Sequence, residues 1–298
     1  MERYKHLSDS TKEVVEKSLE DRISWLYQSR WIGYSQAIEC QNKLNNLLSI
    51  PRIHRMPNIL LLGHTNNGKT SIVQRFLERN PIQVRPNEES AFIPVVYTQA
   101  PPVPDEGRFY NSILEQMFAP FKATDHVSKR QSQVISILKS VETKVIIIDE
   151  IHHIIAGHYE KQRQFLNVIK YLGNELRACI VGVGTKEALR AIQSDPQLAN
   201  RFEPIPLPKW QLNKDFQQLL ASFERVLPLK EPSKLHQPEL AKKLLHLSEG
   251  TIGELSSLLN RLTEKAVNNG REKIDIDLLL NIDWVAPSDR RKVAEKLL

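Results

Sequence analysis

The eight residues Gly63-His64-Thr65-Asn66-Asn67-Gly68-Lys69-Thr70 constrain the fold of this chain more than any other stretch. They match the spacing G-x-x-x-x-G-K-[ST] and lie between the apolar run Asn58 to Leu62 and an amphipathic stretch from Thr70 to Arg79. Strand, glycine-bounded loop, helix is an order in which backbone N–H groups and a helix N-terminus surround phosphate oxygens. In such a loop Lys69 reaches the terminal phosphates and the Thr70 hydroxyl helps to hold Mg²⁺. Ser71, the next helical residue, is counted with the same site. Thr65, Asn66 and Asn67 offer donors beside the phosphates, and equally suit a turn because they tolerate its backbone angles. The chain has only 11 glycines in 298 residues, and several fall in close pairs: Gly63 and Gly68, Gly182 and Gly184, Gly250 and Gly253. Such spending points to positive φ or close approach at those places.

Around this loop the chain alternates. Apolar runs at Asn58 to Leu62, Phe92 to Tyr97, Lys144 to Ile148, Ala178 to Val183 and Glu203 to Leu207 read as strands buried on both faces, hence parallel. Helical patterns at Thr70 to Arg79, Asn111 to Phe118, Ser128 to Ser140 and Gln162 to Leu176 supply the crossovers of a doubly wound α/β sheet. After Trp210 the strands stop, and Asp215 to Val226, Pro238 to Ser248 and Gly253 to Asn269 read as amphipathic helices. Residues 1–50 read as an N-terminal helical extension lying on the next domain, 51–210 as the α/β domain and 211–298 as a C-terminal helical lid and tail.

Val145 to Ile148 ends in Asp149-Glu150, two acids at the strand end where ligands sit in such sheets. Asp149 is expected to hold Mg²⁺ and Glu150 to polarise the attacking water during γ-phosphate hydrolysis. His152, His153 and His158 follow at a spacing that fits no standard zinc pattern, which favours a structural or partner-contact role. Thr185, after the run Ile180 to Gly184, either meets the γ-phosphate or its water, or caps the helix starting at Lys186. Arg201, in Leu198-Ala199-Asn200-Arg201-Phe202, is placed to act in trans on a neighbouring subunit's nucleotide, or is a solvated surface arginine.

These features together resemble an AAA+ ATPase of the initiator clade. Arg30-Trp31-Ile32-Gly33-Tyr34, Arg55-Met56-Pro57-Asn58, the Gly63 to Thr70 loop and Ser248-Glu249-Gly250-Thr251-Ile252-Gly253-Glu254-Leu255 resemble, more narrowly, the TniB family, relatives of TnsC, over about residues 20 to 285. The resemblance implies an ATP-dependent regulator of DNA transposition. Such a protein forms a homo-oligomeric ring or helical filament on duplex DNA and recruits a DDE transposase of the TniA type, with a TniQ-type protein as a further partner. It also implies that Trp31 and Tyr34 approach adenine, core packing being the alternative, and that Gly253 of the lid borders the nucleotide. Where many AAA+ proteins carry a lid arginine that senses the γ-phosphate, this chain has Glu254. That residue is expected to face elsewhere or to pair with a basic neighbour, with Arg261 two turns on as a substitute. Hydrolysis by this ATPase is then slow, with ATP acting mainly as an assembly switch.

Composition limits the alternatives. A hydrophobic fraction of 41% with 26% charged residues describes a chain that builds a core. No apolar run suits a bilayer, so no membrane partner is expected, and the charged opening segment suits a cytosolic protein; the family resemblance implies a bacterial, nucleoid-associated one. Cys40 and Cys179 stand apart and form no CxxC motif. The net charge of +6 is compatible with a polyanion partner. Arg108, Lys122, Lys129 and Arg130, around the helices after the second strand, are the DNA-contact candidates. Asn213-Lys214-Asp215 falls one residue short of the guanine-specific NKxD pattern, which favours ATP. Two further readings compete: a helicase loader or replication initiator of the same ATPase class, and an ATP-binding scaffold with little hydrolysis.

Overall fold

A computed structural model describes residues 3–28, 30–86, 90–122 and 124–297. In chain order its first elements are α1 (Asp9–Val15), α2 (Leu19–Leu26), α3 (Ser35–Ser49), β1 (Asn58–Gly63), α4 (Lys69–Arg79), β2 (Val95–Gln99), α5 (Glu106–Gln116), α6 (Val127–Ser140) and β3 (Val145–Asp149). A 3₁₀ turn (Ile151–Ala156) leads into α7 (Tyr159–Leu176), β4 (Cys179–Gly184), α8 (Lys186–Gln193), α9 (Pro196–Ala199) and β5 (Phe202–Leu207). The chain finishes with α10 (Lys214–Glu224), α11 (Pro238–Ser248), α12 (Ile252–Asn268), α13 (Ile276–Leu280) and α14 (Arg290–Leu297). These elements form two compact units. One is α/β, Glu39–Thr65 with Lys69–Pro208; the other is helical, Met1–Ile38 with Asn66–Gly68 and Lys209–Leu298.

In the α/β unit the strands pair in parallel in the order β2-β3-β4-β1-β5. All five residues of β3 and all six of β4 are buried, as expected of strands covered on both faces. The core packs Leu60, Ile146, Ile148 and Ile180 of the sheet against Phe109, Tyr110, Phe165 and Ile169 of the helices. From β1 the chain crosses β4 and β3 to the far edge, steps back through β3 to β4, then crosses β1 to β5. That reversal opens a crevice at the carboxyl end of β1, where such sheets bind ligands.

Several elements begin elsewhere than their sequence suggests, β2 and α5 among them. The second strand covers Val95–Gln99 rather than Phe92 to Tyr97, because Pro94 has no N–H for a ladder and Phe92 instead pairs antiparallel with Gln83. Helix α5 starts at Glu106, a turn before Asn111: the Asp105 side chain accepts the Arg108 N–H and caps it. Its Gly107 lies against a guanidinium, where an added Cβ would come within 3.0 Å of Arg130.

The helical unit encloses its own core. Phe216, Leu219 and Phe223 of α10 meet Leu240 and Leu244 of α11 and Leu255, Leu258 and Leu262 of α12. The residues up to Ile38 group with these helices, not with the α/β unit that follows them in sequence. Leu26 of α2 joins the same core, and Arg22, buried, donates to the Pro228 carbonyl at 3.1 Å and to Glu272 at 2.9 Å. Breaking such a buried pair from one side costs about 3 kcal/mol or more. Among the described residues no helix is long and apolar enough to cross a membrane.

Candidate functional site

The loop after β1 is held by its own backbone. Lys69, the first residue of α4, is buried, and its Nζ donates to the carbonyls of Gly63 at 3.0 Å and His64 at 2.8 Å. Burial pulls its pKa below the ordinary lysine value, against the opposing pull of the Glu150 and Asp149 carboxylates. His64, Thr65, Asn66, Thr70 and Ser71 are exposed, whereas Asn67 is buried. Gly68 takes φ +81°, a backbone that side chains resist.

Asn66, Asn67 and Gly68 belong to the helical unit, and the first turn of α12 ties them there. Asn66, itself at φ +59°, accepts the Gly253 N–H on its carbonyl at 3.0 Å and donates its side-chain amide to Glu254 at 3.0 Å. A Cβ on Gly253 would lie 1.8 Å from the Asn66 side-chain oxygen, so a larger residue there would displace the Asn66 side chain from this position. Glu254 is paired with a basic group, as its sequence position suggests, but the partner is Arg290 of the tail: the guanidinium donates through Nη1 at 3.1 Å and also through Nη2. Arg290 lies over the Trp284 ring at 5.4 Å. Arg261 instead faces Asp283 at 3.8 Å.

Asp149 ends β3, buried, accepting the Tyr97 hydroxyl at 3.0 Å and the Glu150 N–H at 2.8 Å. Burial and then the Asp149 charge push the Tyr97 phenol well above its ordinary value, so it stays a donor. Glu150 sits at φ +51°, part-exposed, with its Oε2 3.1 Å from the Nδ1 of His152. A non-glycine residue in that region costs about 1 to 3 kcal/mol and recurs at functional sites. Thr185 is the N-cap residue of α8 but makes no side-chain capping bond; its hydroxyl donates to Glu187. Gly63, His64, Thr65, Thr185, Lys186 and Leu207 share a cleft of about 440 Å³. The sheet therefore brings the loop, both carboxylates and Thr185 to its carboxyl edge.

Arg201 stands at the other end. It precedes β5, whose Phe202 pairs with Asn58 and whose Leu207 pairs with Gly63, so roughly 17 Å of strand separate it from the loop. Its Nη1 donates to Asn174 at 2.8 Å, and it lines a cleft of about 620 Å³ with Arg55, Met56, Pro57, Gln197 and Asn200. Trp31 is part-exposed, with its Nε1 3.3 Å from a Cβ built on Gly33; Tyr34 packs edge-on against Trp210 at 5.1 Å. Arg108 and Lys122 are exposed, as is Lys129, which pairs with Asp125 at 3.0 Å. Arg130 is the correction. It is buried, and its Nη1 donates to Asn111 at 2.7 Å and to the Gly107 carbonyl at 3.3 Å, so it holds α6 to α5 and is not presented to a polyanion. Sequence reasoning missed Tyr97 and Arg290; a hydroxyl-bearing residue on the strand beside Asp149 is the only sequence signal for the former.

Sheet order, loop and carboxylates define an AAA+ P-loop ATPase fold. The chain belongs to the TniB family: the family model described as "Bacterial TniB protein" matches residues 22–212. Among solved structures it is similar to the Aeropyrum pernix ORC2 protein in its ADPNP-ADP complexes, with a TM-score of 0.60 and 16% identity over 85% of this chain and 69% of that one. It is also similar to the Aeropyrum pernix ORC1 protein in complex with DNA, at 0.56 and 15% over 91% and 69%. For a variant of Thermotoga maritima RuvB the values are 0.52 and 18% over 92% and 79%. Among curated proteins, a homolog of the ClpA ATP-binding subunit of the ATP-dependent Clp protease from Pyropia yezoensis is 22% identical over 175 residues. That match takes in 58% of this chain, which spans about 20% of the length of that relative.

Proposed function

We propose that the chain binds ATP with Mg²⁺ and hydrolyses it, slowly, at the interfaces of a homo-oligomer on duplex DNA, and so regulates transposition. In this reading residues 51–210 bind the nucleotide, 211–298 form the lid, and 1–50 are an N-terminal extension. The observation that carries it is the convergence of the Gly63–Thr70 loop, Asp149, Glu150 and Thr185 on one sheet edge in a member of the TniB family. Lys69 exchanges its carbonyl partners for phosphate oxygens, while the loop N–H groups surround the remainder. Thr70 and Asp149 present hydroxyl and carboxylate oxygens, the donors Mg²⁺ prefers; the ion would neutralise charge on the phosphates. Glu150 orients and polarises the attacking water, and Thr185 steadies it or the γ-phosphate. Gly253 leaves room at the loop, and Trp31 and Tyr34 border the base.

Arg201 acts in trans, because the length of β5 keeps it from its own loop. Arg108, Lys122 and Lys129 contact DNA phosphates. The oligomer recruits a DDE transposase of the TniA type together with a TniQ-type protein, in the bacterial cytosol at the nucleoid. A second reading, an ATP-binding scaffold with little hydrolysis, is favoured by one observation: the lid residue beside the loop is an acid already engaged by Arg290.

The test combines variants. Lys69→Ala loses ATP binding by roughly a hundredfold, about 3 kcal/mol of charge-assisted bonds, whereas Glu150→Gln binds ATP normally and does not turn it over. Arg201→Ala binds ATP and is inactive alone, and mixing it with Lys69→Ala restores part of the activity through the interfaces that remain intact. Unchanged ATP affinity in the Lys69 variant, or no gain on mixing, sinks the corresponding assignment.

A further inference from the structure

We propose that Glu150, His152 and His153 form a binding site for a divalent transition-metal ion of the zinc class, separate from the oxygen pair Thr70 and Asp149. Glu150, at φ +51°, turns the chain into the 3₁₀ segment that carries both histidines. One ligand atom from each of the three residues lies within 4.8 Å of the other two. The Nδ1 of His152 is 3.1 Å from the Glu150 carboxylate, yet this buried nitrogen has no hydrogen-bond partner. The separation is that of an ion pair, but the direction is not that of a hydrogen bond. A shared cation accounts for both, since two donors about 2.0–2.1 Å from a tetrahedral ion stand roughly 3.3 Å apart.

His153 is prepared in a different way. Its Nδ1 lies 3.3 Å from the Ala100 carbonyl, so that nitrogen carries the proton and the Nε2 lone pair is left for a ligand. A hydrogen bond from the non-ligating nitrogen to a backbone carbonyl is the usual outer support of a metal-binding histidine. The two rings lie 4.8 Å apart. Two imidazoles with one carboxylate suit Zn²⁺ and its neighbours, while Mg²⁺ keeps to oxygen donors. Three protein donors leave a fourth position open. The bound ion occupies the Glu150 carboxylate, so it inhibits hydrolysis. That consequence rests on the proposed ATPase reading; the binding itself does not.

The test uses the full chain without nucleotide, in buffer containing Mg²⁺. Co²⁺ is titrated in and followed by its visible d–d absorption, and Zn²⁺ is then added to displace it. Saturable absorption at about one equivalent is expected, reversed by Zn²⁺. His152→Ala, His153→Ala and Glu150→Gln each weaken binding by at least about tenfold, whereas His158→Ala, an exposed histidine outside the cluster, leaves it unchanged. Circular-dichroism melting shows that each variant remains folded, and Glu150, part-exposed, is the substitution least able to disturb packing. No saturable absorption in the parent chain, or parent-like binding curves in all three variants, overturns the proposal. Inhibition of ATP turnover by Zn²⁺ is measured separately, so that a failed ATPase reading and a failed metal site give different results.

Discussion

The Asn66–Glu254–Arg290 chain puts a carboxylate on Asn66 of the loop proposed to bind phosphate. Glu254 is mostly buried, while Arg290 is about half exposed and neutralises it. Removing the guanidinium leaves a negative charge beside Asn66, a residue of the proposed phosphate loop, where repulsion disfavours an anion. Arg290→Ala is therefore expected to weaken ATP binding by about two- to fivefold, the size of a part-exposed pair, and adding Glu254→Gln is expected to restore it. Isothermal titration of ATP into the two variants checks this; equal affinities of the single variant and the parent would show that the pair does not act on the nucleotide. Glu254 is readable from sequence as an acid in need of a cation, because a carboxylate there conflicts with phosphate. Its partner is not readable. Arg290 lies 36 residues further on, and only the packing of the tail against the start of α12 brings it back.

At the scale of elements, the buried strands β3 and β4 are legible in the sequence. Val145 to Asp149 reads as apolar until its last residue and ends in acids, and β4 likewise leads straight to Thr185. The start of β2 is displaced: it begins after Pro94, because strand propensity at Phe92 and Ile93 yields to the missing proline donor. Helix α5 hides its first turn because Gly107 argues against helix, and the reason for that glycine is a long-range one, the Arg130 guanidinium packed against it. Arg130→Met is accordingly expected to destabilise the α5–α6 pair by about 1 to 3 kcal/mol, since the Asn111 and Gly107 acceptors lose a charged donor. It leaves the salt dependence of DNA binding unchanged. Thermal unfolding and a salt series of DNA titrations check the two halves, and a shallower salt slope with an unaltered melting temperature would return Arg130 to the DNA surface.

Across the whole molecule, the proposed ATP site and Arg201 lie at opposite ends of one parallel sheet, so subunits that share a nucleotide associate head to tail. In the proposed oligomer such a contact repeats, and it lines up the same cations from successive copies. One copy is expected to be a poor ligand for DNA, with a net charge of +6 and only Arg108, Lys122 and Lys129 left exposed in the candidate set. An array multiplies a weak phosphate contact into avidity without any new contact, and the counterions it displaces make binding steeply dependent on salt. Phosphate contacts position a protein but do not read bases, so affinity is expected to be nearly the same on unrelated duplexes. The expected outcome is tight binding with ATP, weak binding with ADP or no nucleotide, and a slope of log affinity against log salt that grows with assembly size. Fluorescence anisotropy on two unrelated duplexes under the three nucleotide conditions measures all of this. Tight binding without nucleotide, or strong preference for one duplex, would replace the assembly argument with that of a self-sufficient site-specific binder. Charge substitution separates the remaining alternative: Lys129→Ala removes one phosphate contact per subunit and is expected to lower the slope in the ATP state, while leaving the weak nucleotide-free binding nearly as it was.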